Sequence, residues 1–172
     1  MKTRSDLNTE KQNENSKSID VMSTKEILET INKEDTIVAR VVSDAIPEIQ
    51  KAVNFTIESI KNGGRVFYIG AGTSGRLGIL DASEIPPTYS APKDYFIGII
   101  AGGDKALKTS VEGAEDSMSN AINDLKPYSI NNKDTLIGIS CSGAASYVVA
   151  SLEYAKEKGS KTIYLVTNPN PF

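Results

Sequence analysis

Histidine is absent from this chain of 172 residues, and cysteine occurs once. Without histidine the chain has no Ser-His-Asp triad, no Cys-His pair and no HExxH zinc motif, so carboxylates, lysines or tyrosines must supply acid and base chemistry. The single Cys141 excludes an internal disulfide and a paired-cysteine metal or redox motif. Such sparse cysteine usage is typical of a reducing compartment, and we expect a cytoplasmic protein.

Long hydrophobic runs and an excess of positive charge are also missing. No stretch approaches the roughly 18 consecutive apolar residues of a membrane helix, and the polar N-terminal segment does not resemble a signal peptide. The net charge is −3 and no Lys/Arg-rich tract occurs, which argues against a nucleic-acid partner. With 39% hydrophobic and 24% charged residues, the composition indicates a soluble globular protein with one compact domain.

The first third of the sequence predicts a polar arm followed by helices. Residues 1–20 contain few apolar side chains, so we expect a mobile arm. Residues 21–63 form an N-terminal helical segment, in which a short helix begins with a capping box at Ser23 and a second helix begins at about Asp35. A third helix is predicted with Pro47 in its first turn.

Residues 64–172 alternate short apolar runs with helical stretches. Continuous apolar runs of this length are typical of strands that are buried on both faces of a parallel sheet. The alternation predicts an α/β fold of about four strands with right-handed crossovers. The predicted strands are 66–69, 95–101, 135–140 and 162–166, and the predicted helices are about 75–84, 104–124 and 144–158.

Two loops that follow predicted strands are rich in glycine and serine. The first is Gly70-Ala71-Gly72-Thr73-Ser74-Gly75, which satisfies G-x-G-x-x-G, and the second is Ser140-Cys141-Ser142-Gly143. Ligands of open α/β sheets bind beyond the carboxyl ends of the strands, where glycines and a helix N-terminus present backbone N–H groups to an anion. The added hydroxyl groups suit a compact phosphomonoester. The candidate substrate-binding residues are Gly72, Thr73, Ser74, Gly75, Ser140, Ser142 and Gly143.

Two other interpretations of these loops stay open. Tight turns need small residues in any case, so either loop could be purely structural. A dinucleotide site would need an acidic residue near the end of the second strand, and Asp104 is the available candidate. Because Asp104 comes late and suits a helix N-cap, we favour a sugar phosphate over a dinucleotide.

Two glutamates continue the apolar stripes of their predicted helices. Glu84 follows Leu77 and Leu80 at spacings of three and four, and Glu115 comes four residues after Val111. These registers predict partly buried carboxylates, and two such groups in one site can divide acid and base roles. The alternative is a structural role, in which a glutamate at the edge of a stripe forms a salt bridge.

Three longer segments together resemble a known enzyme family. They are Gly70-Ala71-Gly72-Thr73-Ser74-Gly75-Arg76-Leu77-Gly78, then Asp81-Ala82-Ser83-Glu84 with Pro86-Pro87-Thr88, and Val111-Glu112-Gly113-Ala114-Glu115-Asp116-Ser117. The chain resembles the N-acetylmuramic acid 6-phosphate etherases, which are bacterial sugar-isomerase (SIS) domain enzymes related to the glucokinase regulatory protein. The similarity begins at about residue 8 and spans nearly the whole chain.

This resemblance implies an SIS-type three-layer sandwich and a carbon-oxygen lyase of cell-wall sugar recycling. The implied reaction converts N-acetylmuramic acid 6-phosphate to N-acetylglucosamine 6-phosphate and D-lactate by elimination and then hydration, without a metal or organic cofactor. By position, Glu84 is the implied proton donor and Glu115 the second acid/base, while Thr73, Ser74, Ser140 and Ser142 help to hold the 6-phosphate. The family's active sites form in homodimers, so we expect a homodimer.

The chain departs from the family pattern in two places. Where the etherases typically read Ser-Gly-Arg-Thr-Pro-Tyr, this chain has Ser142-Gly143-Ala144-Ala145-Ser146-Tyr147, which predicts weaker ligand binding. Family members also continue well beyond Phe172, so we expect residues 64–172 to be an incomplete SIS domain. These departures leave an alternative function, a non-catalytic sugar-phosphate-binding regulatory or remnant module.

Overall fold

The computed structural model describes residues 7–168, and the chain divides between Val53 and Asn54 into two compact units. In the first unit, single 3-10 turns at Asn8–Glu10, Glu14–Ser16 and Ile19–Val21 precede helix α1, Thr24–Asp44. The predicted arm therefore contains short turns within its described part, and its first six residues lie outside the described residues.

Helix α1 begins with the capping box that the sequence predicts. The Glu26 carboxylate accepts a hydrogen bond from the Ser23 backbone N–H at 2.7 Å, and the Ser23 hydroxyl oxygen accepts one from the Glu26 N–H at 3.4 Å. The predicted break near Asp35 is wrong, because α1 is one helix of 21 residues. No glycine or proline lies within it to end the first helix.

Helix α2, Ile46–Lys61, has Pro47 in its first turn, as predicted. It ends before Gly63, which has a φ of +73°, the left-handed conformation that glycine adopts readily after a helix. The chain then enters the sheet.

The second unit is built on a parallel sheet of four strands. They are β1 Val66–Gly70, β2 Phe96–Ile100, β3 Thr135–Ile139 and β4 Lys161–Leu165, in the spatial order β2-β1-β3-β4. Gly70 is paired with both Ile100 and Ile139, and Ile139 with Leu165, so all four strands end together. We call this end of the sheet the carboxyl edge and the opposite end the amino edge.

Helices cover both faces of this sheet, as predicted for an SIS-type sandwich. Crossovers between parallel strands are right-handed as a rule. With this strand order, the rule puts α3, Gly72–Tyr89, on one face and α5, Met118–Leu125, with α6, Ser146–Glu157, on the other. The main buried cluster lies between the sheet and helices α5 and α6, with Phe67 and Leu136 among its members.

The predicted helix at 104–124 is wrong, because this segment is broken. It forms a short helix α4, Lys105–Lys108, a 3-10 turn, Ala114–Asp116, and then α5. Thr109 is extended, with a φ of −134°, and Gly113 has a φ of +72°. Neither conformation can continue an α-helix, so the local backbone overrides the apolar periodicity. Within residues 7–168, no helix has both the length and the hydropathy needed to cross a bilayer.

The amino edge is held together by Asp134, which is 1% exposed. Its carboxylate accepts hydrogen bonds from the Arg65 backbone N–H at 2.8 Å, from Arg65 Nη2 at 2.9 Å and from the Asn131 N–H at 3.0 Å. The hydroxyl groups of Ser59 and Thr135 are bonded to each other at 2.7 Å. These polar groups at the start of β1 and β3 are therefore satisfied by the protein itself.

Candidate sugar-phosphate site

The first glycine-rich loop joins β1 directly to α3 at the carboxyl edge. A Cβ atom on Gly75 would lie 2.6 Å from the Gly70 carbonyl oxygen, so strand and helix meet too closely for any side chain there. Gly72 has open space around it, but its φ is +55°, a left-handed conformation that residues other than glycine rarely adopt. Gly70 and Gly75 thus allow the strand and the helix to pack closely, and Gly72 allows the turn between them.

The N-terminus of α3 offers backbone donors beyond this loop. Its N-cap is Ala71, which provides no side-chain cap, and the first N–H groups of a helix have no intrahelical acceptor. Thr73 is exposed in this first turn, while Ser74 is 8% exposed. The helix dipole adds a positive potential, so the arrangement suits an anion.

The second loop, Ser140–Gly143, folds into a turn that its own serines stabilise. The Ser140 Oγ accepts a hydrogen bond from the Gly143 N–H at 3.1 Å, and the Ser142 Oγ accepts one from the Ala144 N–H at 3.2 Å. In both bonds the serine oxygen is the acceptor. The half-buried Ser142 can therefore donate its hydroxyl hydrogen to an anion, whereas the hydroxyl group of the buried Ser140 also interacts with that of Tyr164. Because β1 and β3 are neighbours, this loop starts beside the first one.

Residues after β4 hold the second loop in place, and the sequence analysis missed them. Asn168, 4% exposed, donates from Nδ2 to the Ser142 carbonyl at 3.0 Å. The Thr167 hydroxyl donates to the Cys141 carbonyl at 2.9 Å. Their position directly after the fourth predicted strand, at the carboxyl edge, is the signal that could have identified them.

The segment that departs from the etherase pattern lies between this loop and α6. Ala145 is the N-cap of α6 and provides no side-chain hydrogen bond. Tyr147 anchors the first turn instead, because its hydroxyl donates to Asp124 Oδ2 at 2.7 Å. Burial, followed by this bond to Asp124, raises the pKa of Tyr147 above its usual value. This end of α6 is therefore fixed to α5 by a protonated tyrosine.

A cavity of about 270 Å³ lies between the first loop and the segment that follows β2. Its polar lining includes Arg76 from α3, with Ser110, Glu112 and Glu115 from the broken segment. The Arg76 Nε donates to the Leu107 carbonyl at 3.1 Å. The Ser110 hydroxyl donates to Glu112 Oε1 at 2.6 Å. The cavity thus adjoins Gly72, where the candidate phosphate loop begins.

Glu115 lines this cavity, but not as predicted. It lies in the 3-10 turn Ala114–Asp116 and is exposed, so the expected core-facing position in a long helix is wrong. The broken segment explains the difference, because Gly113 reorients the chain just before the glutamate. What remains of the prediction is a carboxylate beside the first loop.

Glu84 is exposed and does not line the cavity. It comes 12 residues after Gly72 on α3, a rise of about 18 Å in a regular helix. Leu77 and Leu80, its predicted stripe partners, are each 56% exposed. The spacing is therefore right but the stripe faces the surface, and the predicted burial of Glu84 is wrong. Within one chain the structure brings Glu115, but not Glu84, to the cavity.

Comparisons with known proteins identify the family of this fold. A family model described as the glucokinase regulatory protein N-terminal SIS domain matches residues 48–156. The chain belongs to this family. A solved phosphoheptose isomerase from Francisella tularensis has a TM-score of 0.57 at 23% identity, over 84% of this chain and 76% of that one. This second similarity shows the fold alone.

Curated relatives agree with the resemblance noted from the motifs. N-acetylmuramic acid 6-phosphate etherase 1 of Bacillus licheniformis is 49% identical over 164 residues, which cover 95% of this chain and 54% of the relative. The N-acetylmuramic acid 6-phosphate etherase of Bacteroides thetaiotaomicron is 53% identical over 152 residues, 88% of this chain and 55% of the relative. The chain spans about half the length of these relatives.

Proposed function

We propose that this protein acts as an N-acetylmuramic acid 6-phosphate etherase in the cytoplasm. The observation that supports it best is the position of Glu115, which lines a cavity that begins at the candidate phosphate loop. Etherases about half identical to this chain support the substrate and the reaction. The activity is proposed without a metal or organic cofactor. Among residues 7–168, no cluster of three or more potential metal-ligating side chains occurs.

The two loops at the carboxyl edge are proposed to bind the 6-phosphate. The first turn of α3, Gly72–Gly75, offers backbone N–H groups, and the loop Ser140–Gly143 offers hydroxyl groups. With the phosphate held there, the sugar ring extends into the cavity towards Glu115. Weaker binding is expected where the chain lacks the arginine and threonine of the usual etherase loop.

The proposed reaction needs one carboxylate as base and another as acid. The base removes the proton at C2 of the sugar, the bond between C3 and the ether oxygen breaks, and the acid protonates that oxygen. D-lactate leaves and a C2–C3 double bond remains. Water then adds across this bond, with the proton at C2 and the hydroxyl group at C3, to give N-acetylglucosamine 6-phosphate.

We propose that Glu84 performs its role in the cavity of a second copy of the chain. Glu84 lies eight residues beyond Arg76, the last α3 residue of the cavity lining, which is a rise of about 12 Å along the helix. The neighbouring Leu77 and Leu80 are exposed on the same face of α3, and a partner that covers them would bury apolar surface. A homodimer in which each cavity combines Glu115 of one chain with Glu84 of the other satisfies both observations.

Release of D-lactate from N-acetylmuramic acid 6-phosphate tests the proposed activity. We expect Glu115→Gln and Glu84→Gln to lower kcat by a factor on the order of 10² to 10⁴, because each removes a proton-transfer group. Glu153→Gln is the matched control, since Glu153 is exposed on α6 and outside the cavity. Lactate release that persists in Glu115→Gln would contradict the proposal.

Mixed dimers test the shared site. When chains with Glu84→Gln and chains with Glu115→Gln are unfolded, mixed in equal amounts and refolded together, half of the dimers contain one of each. One of the two cavities in such a dimer has both glutamates, so activity should return to about a quarter of the wild-type value. If both glutamates act within one chain, mixing restores nothing.

A non-catalytic sugar-phosphate-binding module remains the second candidate. Two observations favour it: the matching family model is that of a regulatory protein, and Ala144 and Ala145 replace polar residues of the etherase pattern. The same assay separates the two functions. A module of this kind would bind N-acetylmuramic acid 6-phosphate without releasing lactate, and would bind it equally with Glu115→Gln.

A further inference from the structure

Arg76 is a charged residue of the cavity to which the sequence analysis gave no role. It is the cationic residue among the described lining residues, which also include the carboxylates of Glu112 and Glu115. Its side chain is partly buried. Within residues 7–168, the guanidinium group has one hydrogen bond, from Nε to the Leu107 carbonyl, and no ion pair.

This single bond fixes the guanidinium group while leaving its other donors unused. Arginine has five N–H donors in a rigid planar fork, so the bond from Nε leaves the four on Nη1 and Nη2. Two parallel N–H groups at this spacing match the two oxygens of a carboxylate. The anchor at Leu107 reduces the rotamer entropy that the side chain would lose on binding.

We propose that Arg76 binds the lactyl carboxylate of N-acetylmuramic acid 6-phosphate and so distinguishes this sugar phosphate from those that lack a lactyl group. The inference rests on the proposed function. The substrate carries two anionic groups, and the loops Gly72–Gly75 and Ser140–Gly143 already provide donors for the phosphate. The carboxylate is the remaining anion, and Arg76 is the cation available to it in the cavity.

Because the cavity lining also contains two carboxylates, this contact would strengthen binding of the lactyl sugar. A substrate carboxylate that enters the cavity meets Glu112 and Glu115, which repel it. Arg76 offsets this repulsion. It also holds the leaving group, because the carboxylate is attached to the carbon atom that bears the ether oxygen. Arg76 is therefore a specificity-determining and positioning residue, and proton transfer is assigned to Glu115 and to Glu84 of the second copy.

Binding of two sugar phosphates tests the inference. N-acetylmuramic acid 6-phosphate and N-acetylglucosamine 6-phosphate share the ring and the phosphate but differ in the lactyl group. Titration calorimetry in a Glu115→Gln background, where turnover is suppressed, gives both dissociation constants. We expect Arg76→Met to weaken binding of the first sugar by a factor on the order of 10 to 100, the cost of a lost charge-assisted bond. Binding of the second should change by less than about twofold.

Two further variants complete the design. Arg40→Met removes the same charge from α1, outside the cavity lining, and should change neither constant. Arg76→Lys keeps the charge without the fork, and should lose part of the preference for the lactyl sugar. If Arg76→Met does not fold, the two dissociation constants of Arg76→Lys provide the test instead.

The outcomes separate this inference from the proposed function. Equal weakening of both sugars would overturn the inference, because it indicates a phosphate ligand or a structural role. Unchanged binding of both would overturn it as well. If the chain with native Arg76 binds neither sugar and the wild type releases no lactate, the proposed function itself fails, and the inference with it.

Discussion

Asp134 and Arg76 are both charged residues beside the parallel sheet, but they lie at opposite edges and have different partners. At the amino edge, Asp134 is almost fully buried and accepts hydrogen bonds from Arg65 and Asn131. At the carboxyl edge, Arg76 faces a cavity and, within the described part of the chain, has one hydrogen bond, to the Leu107 carbonyl. These two charged side chains therefore differ in how far the protein itself satisfies them.

This difference indicates that the charged group at the amino edge contributes to stability, whereas the charged group at the carboxyl edge is available for function. A buried charge with all its partners in place contributes to the fold, and removing one partner leaves the other desolvated and unpaired. Polar groups held in position without partners contribute little to the fold and are available to a ligand. Substitutions of charged and polar side chains at the amino edge should thus change unfolding, and substitutions of such side chains at the carboxyl edge should change binding.

The largest expected effect is at Asp134. Asp134→Asn removes the buried negative charge and leaves the Arg65 guanidinium group without its ion-pair partner, although its bond to the Tyr128 carbonyl remains, so the free energy of unfolding should fall by about 3–5 kcal/mol. Urea denaturation measures this change, and Glu157→Gln, on the exposed end of α6, is the control. If the free energy of unfolding falls by less than about 1 kcal/mol, the Asp134 hydrogen bonds at the amino edge contribute little to stability.

Gly75 should give a smaller effect of steric origin. Gly75→Ala places a Cβ atom 2.6 Å from both the Gly70 carbonyl oxygen and the Ile100 Cγ1. Strand and helix must then separate, which should cost about 1–3 kcal/mol. Gly72→Ala is the matched comparison, because its Cβ would meet nothing within 4 Å and only the positive φ opposes it, at about 1 kcal/mol. Equal losses in both variants would argue against the close contact.

Thr73 should give the smallest effect on stability. Thr73 is exposed in the first turn of α3, so Thr73→Ala should change the free energy of unfolding by less than about 0.5 kcal/mol. Binding of N-acetylglucosamine 6-phosphate should nevertheless weaken by about fivefold or more, since the proposed Thr73 donor to the phosphate is lost. Scanning calorimetry measures the change in unfolding, and titration calorimetry on the same protein measures the dissociation constant. Unchanged binding would show that Thr73 is not part of the site.

Much of the fold follows from the sequence because it depends on local patterns. The four strands are continuous apolar runs, and the loops after β1 and β3 are marked by their glycines and serines. The helix predicted at 104–124 fails because Gly113 interrupts a periodic stretch. Periodicity also showed that Leu77, Leu80 and Glu84 share one side of α3. It could not show whether that side faces the core, since burial depends on what packs there.

The missing parts of the candidate site depend on contacts between distant segments. Arg76 meets Leu107 across 31 positions, and Asn168 meets Ser142 across 26. Neither pair forms a spacing that a sequence motif could reveal. The resemblance to the etherases identified Glu84 and Glu115 as a pair, whereas the structure of one chain brings only Glu115 to the cavity. The proposed second copy follows from that difference.

Binding at the carboxyl edge is tested most directly by mapping the residues that a sugar phosphate contacts. In a ¹H–¹⁵N NMR titration with N-acetylglucosamine 6-phosphate, we expect shifts at the carboxyl edge, in Gly72–Gly75, in the cavity segment around Glu115, and in Ser140–Gly143. The amide signals of Arg65 and Asp134 should stay in place. Shifts centred on the amino edge, or none at the two loops at saturating sugar phosphate, would contradict the claim that the ligand binds at the carboxyl edge.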